Sequence, residues 1–490
     1  MSTFRQKALS GLSWSVVGKV GNQIVTVGLS IVLARLLSPE AFGLIGMVMV
    51  FTGFAGLFQD LGLGAALVQH QDVTEDHLSS IFWLNVGAGL LLTIAFIGAA
   101  PWIAAFYNEP MLVPIASVVA VNFAIGAWGS VHQTIFQKKI DFRSITLVNI
   151  GRVVVSGGIG VFLAFTGYGV WSLVVKSVVA TVVGTVGFWI ISPWTPSFRF
   201  SIAAVKELVG FSLNLLGEKT LNYWVRKTDD LLIGKMVGSD ALGLYTKAYG
   251  LMLMPLRQIS SVISRVMFPS LSTIQDDADR VKKVYMRATR SIALVTFPMM
   301  LGLLATSKSA VIAVFGSQWA GMIPILRVFC ILGLVQSIGT LIGNLFLSQG
   351  RSDLMLRVSL VVKAWMIGAI IFGIQWGVMG VAVCYTIASL TALYPETRYG
   401  GGLVGLTFGE LIYDLGGIFA CAAVMGGAVF ALGLALPSEW PHWLQLLTQV
   451  PAGVVVYWAL VHSFGVEAYR EMMDLLAEQW NRRMQATPAE

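Results

Sequence analysis

The chain has 490 residues, 56% of them hydrophobic and only 12% charged, with a formal net charge of +7. Soluble domains carry about 25% charged residues, so a soluble globular protein is excluded. The continuous apolar runs also exclude an outer-membrane barrel, whose strands alternate apolar and polar residues. Cys330, Cys384 and Cys421 are odd in number and lie in apolar segments, which leaves neither a disulfide framework nor a cysteine-based metal site to expect.

In chain order, apolar runs near the ~20 residues that cross a bilayer predict helices over 11–34, 42–67, 79–103, 112–136, 145–166, 169–191, 207–234, 242–269, 288–314, 322–348, 354–374, 377–394, 411–436 and 442–464. The fold class is therefore an all-α polytopic membrane protein with about 14 transmembrane helices. The start, MSTFRQKALSGLSWSVV, runs straight into the first span, so no cleavable signal peptide is expected. Pro39, Pro101, Pro110, Pro193, Pro196, Pro395 and Pro437 read as breakers at the joints.

With the N-terminus inside, the inner segments collect Arg5, Lys7, Lys138, Lys139, Arg143, Arg199, Lys206, Arg280, Lys282, Lys283, Arg287, Arg290, Arg351, Arg357, Arg398, Arg470, Arg482 and Arg483. The outer ends hold only Arg35 and Lys235. This bias follows the positive-inside rule and puts both termini in the cytoplasm. The net charge thus reflects topology, and nucleic acid is not an expected partner. The acidic stretch QHQDVTEDH (69–77) also falls inside. Its His70 and His77, with Asp72, Glu75 and Asp76, lack metal-ligand spacing, so a solvated loop and no metal are expected. His132, His442 and His462 read as interfacial, and Trp102, Trp194, Trp319, Trp440 and Trp443 as belt residues. DDADRVKKVYMR (276–287) and the tail VEAYREMMDLLAEQWNRR (466–483) read as amphipathic surface helices.

An internal repeat appears at an offset of 200. IVLARLLSPEAFGLI (31–45) aligns with LLIGKMVGSDALGLY (231–245), matching Arg35 with Lys235, Glu40 with Asp240, Gly43 with Gly243 and Leu44 with Leu244; further back, Lys19 meets Lys219 and Asn22 meets Asn222. Six spans separate the copies, so the repeats are parallel, related by a pseudo-two-fold along the membrane normal. The expected organisation is an N-terminal bundle over 1–199, a C-terminal bundle over 200–394, two additional helices over 395–465 and a cytoplasmic amphipathic tail over 466–490, with a central cavity between the two bundles.

Charges inside spans cost roughly 2.5–3.5 kcal/mol each even on the lenient insertion scale, so those that remain need a partner, a wet cavity or an interface. In the first span Ser15, Lys19, Asn22, Gln23, Thr26 and Ser30 recur at helical spacing; in the seventh Lys219, Asn222, Tyr223, Arg226 and Asp230 do the same, flanked by Glu218 and Asp229. Both stripes are expected to face the cavity. The spacing of Arg226 to Asp229 and Asp230 suits a structural ion pair equally well, and Lys227 reads as snorkelling outward. Arg257, Arg265, Lys308 and Arg327 read as interfacial anchors. In the first half Lys19, Arg152 and Lys176 have only Asp60 as a nearby acid. A basic cavity focuses anions, with phosphate the leading cargo group. The expected headgroup ligands are Lys19, Arg152, Lys176, Lys219 and Arg226, beside polar Asn22, Gln23, Asn222 and Tyr223. Glu218, Asp229, Asp230 and Asp60 are the candidates for ion coupling. No P-loop is present, so ATP hydrolysis is not expected.

The stretch GLSWSVVGKVGNQIVTVGLSIVLARLLSPEAFGLIGMVMVFTGFAGLFQDLGLGAALVQ (11–69), with ARLLSPEAFGL and FQDLGLGAALVQ inside it, and RKTDDLLIGKMVGSDALGLYTKAY in the second half, resembles the Wzx-type polysaccharide exporters. More narrowly, it resembles the colanic-acid exporter-like branch of the polysaccharide transporter family, within the multidrug/oligosaccharidyl-lipid/polysaccharide flippase superfamily. The resemblance spans almost the whole chain. It implies a non-enzymatic, cofactor-free transporter in the bacterial inner membrane that moves an undecaprenyl-pyrophosphate-linked oligosaccharide between leaflets, with glycan polymerase or export machinery as possible partners beside the lipids. A multidrug/cation antiporter and a peptidoglycan lipid II flippase are the alternatives within the superfamily.

Overall fold

The computed structural model describes residues 21–59 and 63–473; within these, side chains of 208–219, 221, 225, 261 and 262 are not described. The described residues are helical, with no strand. By contacts the chain forms two units, Met1–Gly243 and Leu244–Glu490.

In the first unit, α1 is described from residue 21 and runs to Leu36. It is followed by α2 (Pro39–Gln59), α3 (Leu63–Gln69), α4 (Glu75–Tyr107), α5 (Leu112–Lys138), α6 (Phe142–Phe165), α7 (Trp171–Ile191) and α8 (Ile202–Met236). Local chemistry sets several starts. Pro39 occupies the first position of α2, where its missing N–H costs nothing. Asp141 caps α6 by accepting from the Ser144 amide at 3.1 Å. Pro101 does not end its helix as expected; α4 runs through it to Tyr107. Helices in lipid tolerate such a proline because neighbouring groups satisfy the freed carbonyl.

Apolar burial does not drive helices together in lipid, so close packing and interhelical hydrogen bonds must do so. The α4–α5 pair illustrates both. A Cβ on Gly89 would lie 2.6 Å from the Phe123 carbonyl oxygen, so only glycine lets these backbones approach as they do. Thr93 Oγ1 then donates to the Ala120 carbonyl at 3.0 Å, and Asn85 donates to Ser130 Oγ at 3.0 Å.

The contact boundary falls later than the sequence boundary at 199/200, because α8 packs against α2, α3 and α4. The turn after α8 also meets its repeat counterpart. A Cβ on Gly43 would sit 1.7 Å from the Ser239 carbonyl oxygen, and one on Gly243 would sit 1.9 Å from that of Pro39. Positions 39 and 239, and 43 and 243, are equivalent at the offset of 200. The contact is reciprocal, as a local two-fold axis requires.

The second unit contains α9 (Ser239–Thr273, from Leu244 onward), α10 (Ala278–Ala305), α11 (Ser307–Phe315), α12 (Met322–Gly339), α13 (Ile342–Ser348), α14 (Ser352–Gly373), α15 (Gly377–Gly400), α16 (Phe408–Ala435) and α17 (His442–Ser463). Residues 276–287 do not form a separate surface helix. Asp277 caps α10 by accepting from the Arg280 amide at 3.0 Å, and the helix continues unbroken into the apolar part. Pro395 likewise lies inside α15. Trp319, expected in the belt, is fully buried and carries Lys247 Nζ at 5.8 Å from its ring centroid.

An ion-pair network ties the start of α16 and the segment after α17 to α10. Lys282 Nζ lies 2.9 Å from Glu410, Arg290 Nε lies 3.1 Å from Asp414, and Arg290 also bridges to Glu467. The Arg290 guanidinium holds the Glu467 carboxyl below the usual carboxylate range. Of the expected tail helix, 474–483 lies outside the described residues.

Ten segments among the described residues are long and apolar enough to cross a membrane; one of them, Ser352–Val404, contains both α14 and α15. α8 and α9 are 35 residues each but are not among the ten.

Candidate functional site

The first unit forms an open polar cavity of about 410 Å³ between α2, α3, α5, α6 and α7. Its chemistry comes from Gln59, Gln133, Gln137, Thr181 and Thr185, with Arg152 the one ionisable side chain in its lining among the described residues. Helical phase puts these groups together: Ser130, Gln133, Thr134 and Gln137 fall on one face of α5, and Thr181 and Thr185 are one turn apart on α7. Two interhelical bonds hold the frame, Gln59 Nε2 to the Phe123 carbonyl at 3.0 Å and Thr185 Oγ1 to the Ile125 carbonyl at 3.0 Å. Arg152 extends along α7 past Gly184, where an added Cβ would meet its Cδ at 3.1 Å. An array of amide and hydroxyl groups around one guanidinium suits a ligand with hydroxyls and a negative charge.

Among the sequence-derived candidates whose side chains are described, only Arg152 lines this cavity. Lys176 lies near the α6–α7 turn, where its stem packs over Gly160. Arg226 is exposed, and Asn22, Gln23, Asn222 and Asp229 are half-buried. Lys19 and Asp60 lie outside the described residues, as do the side chains of Glu218 and Lys219. Gln59, Gln133, Gln137, Thr181 and Thr185 went unnoticed in the sequence. Their three- and four-residue spacing within apolar spans was a readable signal, masked by attention to charge.

Two expectations for α8 change. Tyr223 does not line the polar cavity: its hydroxyl donates to the carbonyls of Val50 at 2.7 Å and Met49 at 3.1 Å, binding α8 to α2. Trp224 adds a ring contact with Phe54, centroids 4.9 Å apart. Tyr223→Phe should therefore lower stability by about 1 kcal/mol, the net worth of one hydrogen bond, read as a lower thermal midpoint with unchanged helix content. Lys227 does not snorkel; its Nζ lies 2.7 Å from Asp230, which is buried. The pair forms because the two are three apart on one face. Lys235, at the other end of α8, lies 5.2 Å from the centroid of the Phe106 ring.

The second unit contains a different cavity, about 660 Å³ and almost wholly apolar, lined by α9, α10, α16 and α17 through residues such as Met254, Pro298, Met299, Val454, Tyr457 and Trp458.

Many apolar helices in two units define a polytopic membrane protein. The fold is that of two solved structures. One is the lipid II flippase MurJ in an inward closed conformation, with a TM-score of 0.72 and 17% identity over 94% of this chain and 99% of that one. The other is an inward-facing multidrug resistance transporter of the MATE family, with a TM-score of 0.63 and 14% identity over 81% of this chain and 98% of that one. The family described as Polysaccharide biosynthesis protein matches residues 32–324, and the chain belongs to it. Among its relatives are the teichuronic acid biosynthesis protein TuaB of Bacillus subtilis, 28% identical over 96% of this chain and 97% of that protein, and the lipopolysaccharide biosynthesis protein WzxC of Escherichia coli, 26% identical over 79% and 80%. The succinoglycan biosynthesis transport protein ExoT of Rhizobium meliloti is 28% identical over 64% of each chain.

Proposed function

We propose that this chain is a flippase that moves a polyprenyl-pyrophosphate-linked oligosaccharide, the repeat unit of an O-antigen, capsule or exopolysaccharide, from the inner to the outer leaflet of the bacterial cytoplasmic membrane. The observation that carries this reading is the polar cavity with Arg152 as its cation. Its amide and hydroxyl groups match sugar hydroxyls, and the guanidinium matches a diphosphate oxygen in bidentate geometry. The names of the relatives, which concern teichuronic acid, lipopolysaccharide and succinoglycan, support an envelope glycan as cargo. The apolar cavity of the second unit offers the polyprenyl chain a lining of its own kind.

In this reading the chain crosses the membrane fourteen times with both termini in the cytoplasm, and alternating access carries the headgroup between the sequence repeats. Lys19, Lys219, Arg226 and Lys176 supplement Arg152 along the path. Asp230 is the leading coupling carboxylate, because its protonation frees Lys227 from their pair; Asp229, Glu218 and Asp60 are the others. Glycan polymerase and export proteins are the proposed partners.

The test is reconstitution of the purified chain in proteoliposomes with a labelled undecaprenyl-pyrophosphate oligosaccharide. The expected result is protein-dependent appearance of the headgroup in the opposite leaflet, faster under an imposed H⁺ or Na⁺ gradient. Efflux of cationic dyes with no glycan-lipid movement would replace this reading with a drug antiporter, and movement of lipid II alone would replace it with a peptidoglycan flippase.

A further inference from the structure

The fold gathers His70, His77 and Glu207 at the corner between α3 and α4, where the second turn of α8 meets it. In sequence the two histidines lie in a loop with irregular spacing, and the third member arrives from 130 residues further on. His77 Nε2 is 3.1 Å from a Glu207 carboxylate oxygen, and His70 Nε2 is 4.0 Å from the same oxygen. The three ligand atoms all lie within 4.8 Å of one another. Two imidazole nitrogens and one carboxylate are the donor set of many three-residue zinc sites, which leave the fourth position to water.

The His77 ring is fixed from behind. The Thr74 hydroxyl lies 2.7 Å from His77 Nδ1, on the far side of the ring from Glu207. Nδ1 also accepts from the Thr74 amide at 3.3 Å, so an ion on Nε2 requires the ring proton to move to Nδ1, where the Thr74 hydroxyl accepts it and the hydrogen bond from the Thr74 amide is given up. Lys138 Nζ donates to the carbonyls of Leu67 and His70, which fixes the backbone at the end of α3. His77 is buried, whereas the Glu207 side chain is 57% exposed, so the cluster has a rigid wall and an open mouth. Asp72 and Asp76 are exposed on the same corner and add negative potential.

We propose that His70, His77 and Glu207 form a site for a divalent transition ion, Zn²⁺ by preference, that staples the second turn of α8 to the α3–α4 corner. Nitrogen-rich donor sets favour such ions over Mg²⁺ or Ca²⁺, which require oxygen ligands. The ion would cross-link segments far apart in sequence and so resist displacement of α8 from that corner.

The test uses the full chain without a histidine tag, stripped with EDTA in detergent. It is then loaded with Zn²⁺ for metal analysis after desalting, or with Co²⁺ for its visible absorption. The expected result is about one Zn²⁺ retained per chain, with an absorption band for Co²⁺ bound to nitrogen and oxygen. Zn²⁺ should also raise the thermal midpoint, since it binds only the folded site. His77→Ala removes a buried ring and endangers folding, so the decisive variant is Glu207→Gln at an exposed position. It should weaken Zn²⁺ binding by at least roughly tenfold and abolish the midpoint shift, while Asp76→Asn retains both. Absence of retained metal in the wild type overturns the proposal. So does a Glu207→Gln variant that binds as well as wild type, or an Asp76→Asn variant that loses as much.

Discussion

Arg152→Ala is expected to abolish surface glycan export while the protein still accumulates in the membrane. Among the described residues Arg152 is the one ionisable group lining the polar cavity, and it is exposed, so the variant removes the cation without opening a hole in a packed core. A charge-assisted hydrogen bond is worth roughly 1.5–3 kcal/mol, which corresponds to a loss of about 10- to 150-fold for the step it serves. Arg152→Lys should recover part of the activity, because an ammonium keeps the charge and loses the bidentate geometry. Lys176→Ala should be milder, since that side chain packs near the α6–α7 turn and does not line the cavity. The measurement is export normalised to membrane protein level in a complementation strain, followed by headgroup translocation in proteoliposomes. Wild-type export by Arg152→Ala would remove this residue, and the cavity it faces, from the transport path.

The second large effect is on stability. Gly43→Val should separate the two repeat-related turns, because the first added carbon falls 1.7 Å from a backbone oxygen that has no flexible end to move. Overpacking of this kind costs typically 1–3 kcal/mol and occasionally more, enough to lower the yield of folded protein and the thermal midpoint in detergent. Gly243→Val should do the same, since its added carbon meets the Pro39 carbonyl oxygen at 1.9 Å. The double variant should fall short of the sum, because either substitution alone already parts the contact. Gly98→Ala is the control: no atom lies within 4 Å of the added carbon, and helix propensity predicts a small gain of at most about 1 kcal/mol. Unchanged midpoints for both valine variants would mean that these turns adjust freely, and the reciprocal contact would lose its structural weight.

The parts of the fold that were legible are those governed by local pattern. Apolar runs of bilayer length give helices wherever they occur, because backbone polar groups in lipid have no other way to be satisfied. The offset of 200 was readable because equivalent turns need equivalent residues, as Gly43 and Gly243 show. Proline was read too strictly. Pro101 and Pro395 were assigned to joints on rules that hold in water, yet each lies inside a continuous helix. The candidate site was only partly legible. Arg152 stands out in the sequence as a charge within an apolar span, whereas the uncharged glutamines and threonines that surround it do not. Nor does the sequence show that the Tyr223 hydroxyl meets carbonyls on α2 more than 170 residues away.

The sequence by itself determined that this is a helical membrane protein, because hydropathy is a property of the chain read linearly, and its resemblance to the Wzx-type exporters pointed to the polysaccharide family. Tertiary structure alone decided which side chains share a space. Arg152 joins residues from α2, α5 and α7, Lys227 pairs with Asp230 while Arg226 stays exposed, and His70 and His77 gain Glu207. The physical reason is that side-chain chemistry acts over a few ångströms. Helical phase gives the direction of a side chain on its own helix, and only packing fixes what stands opposite it.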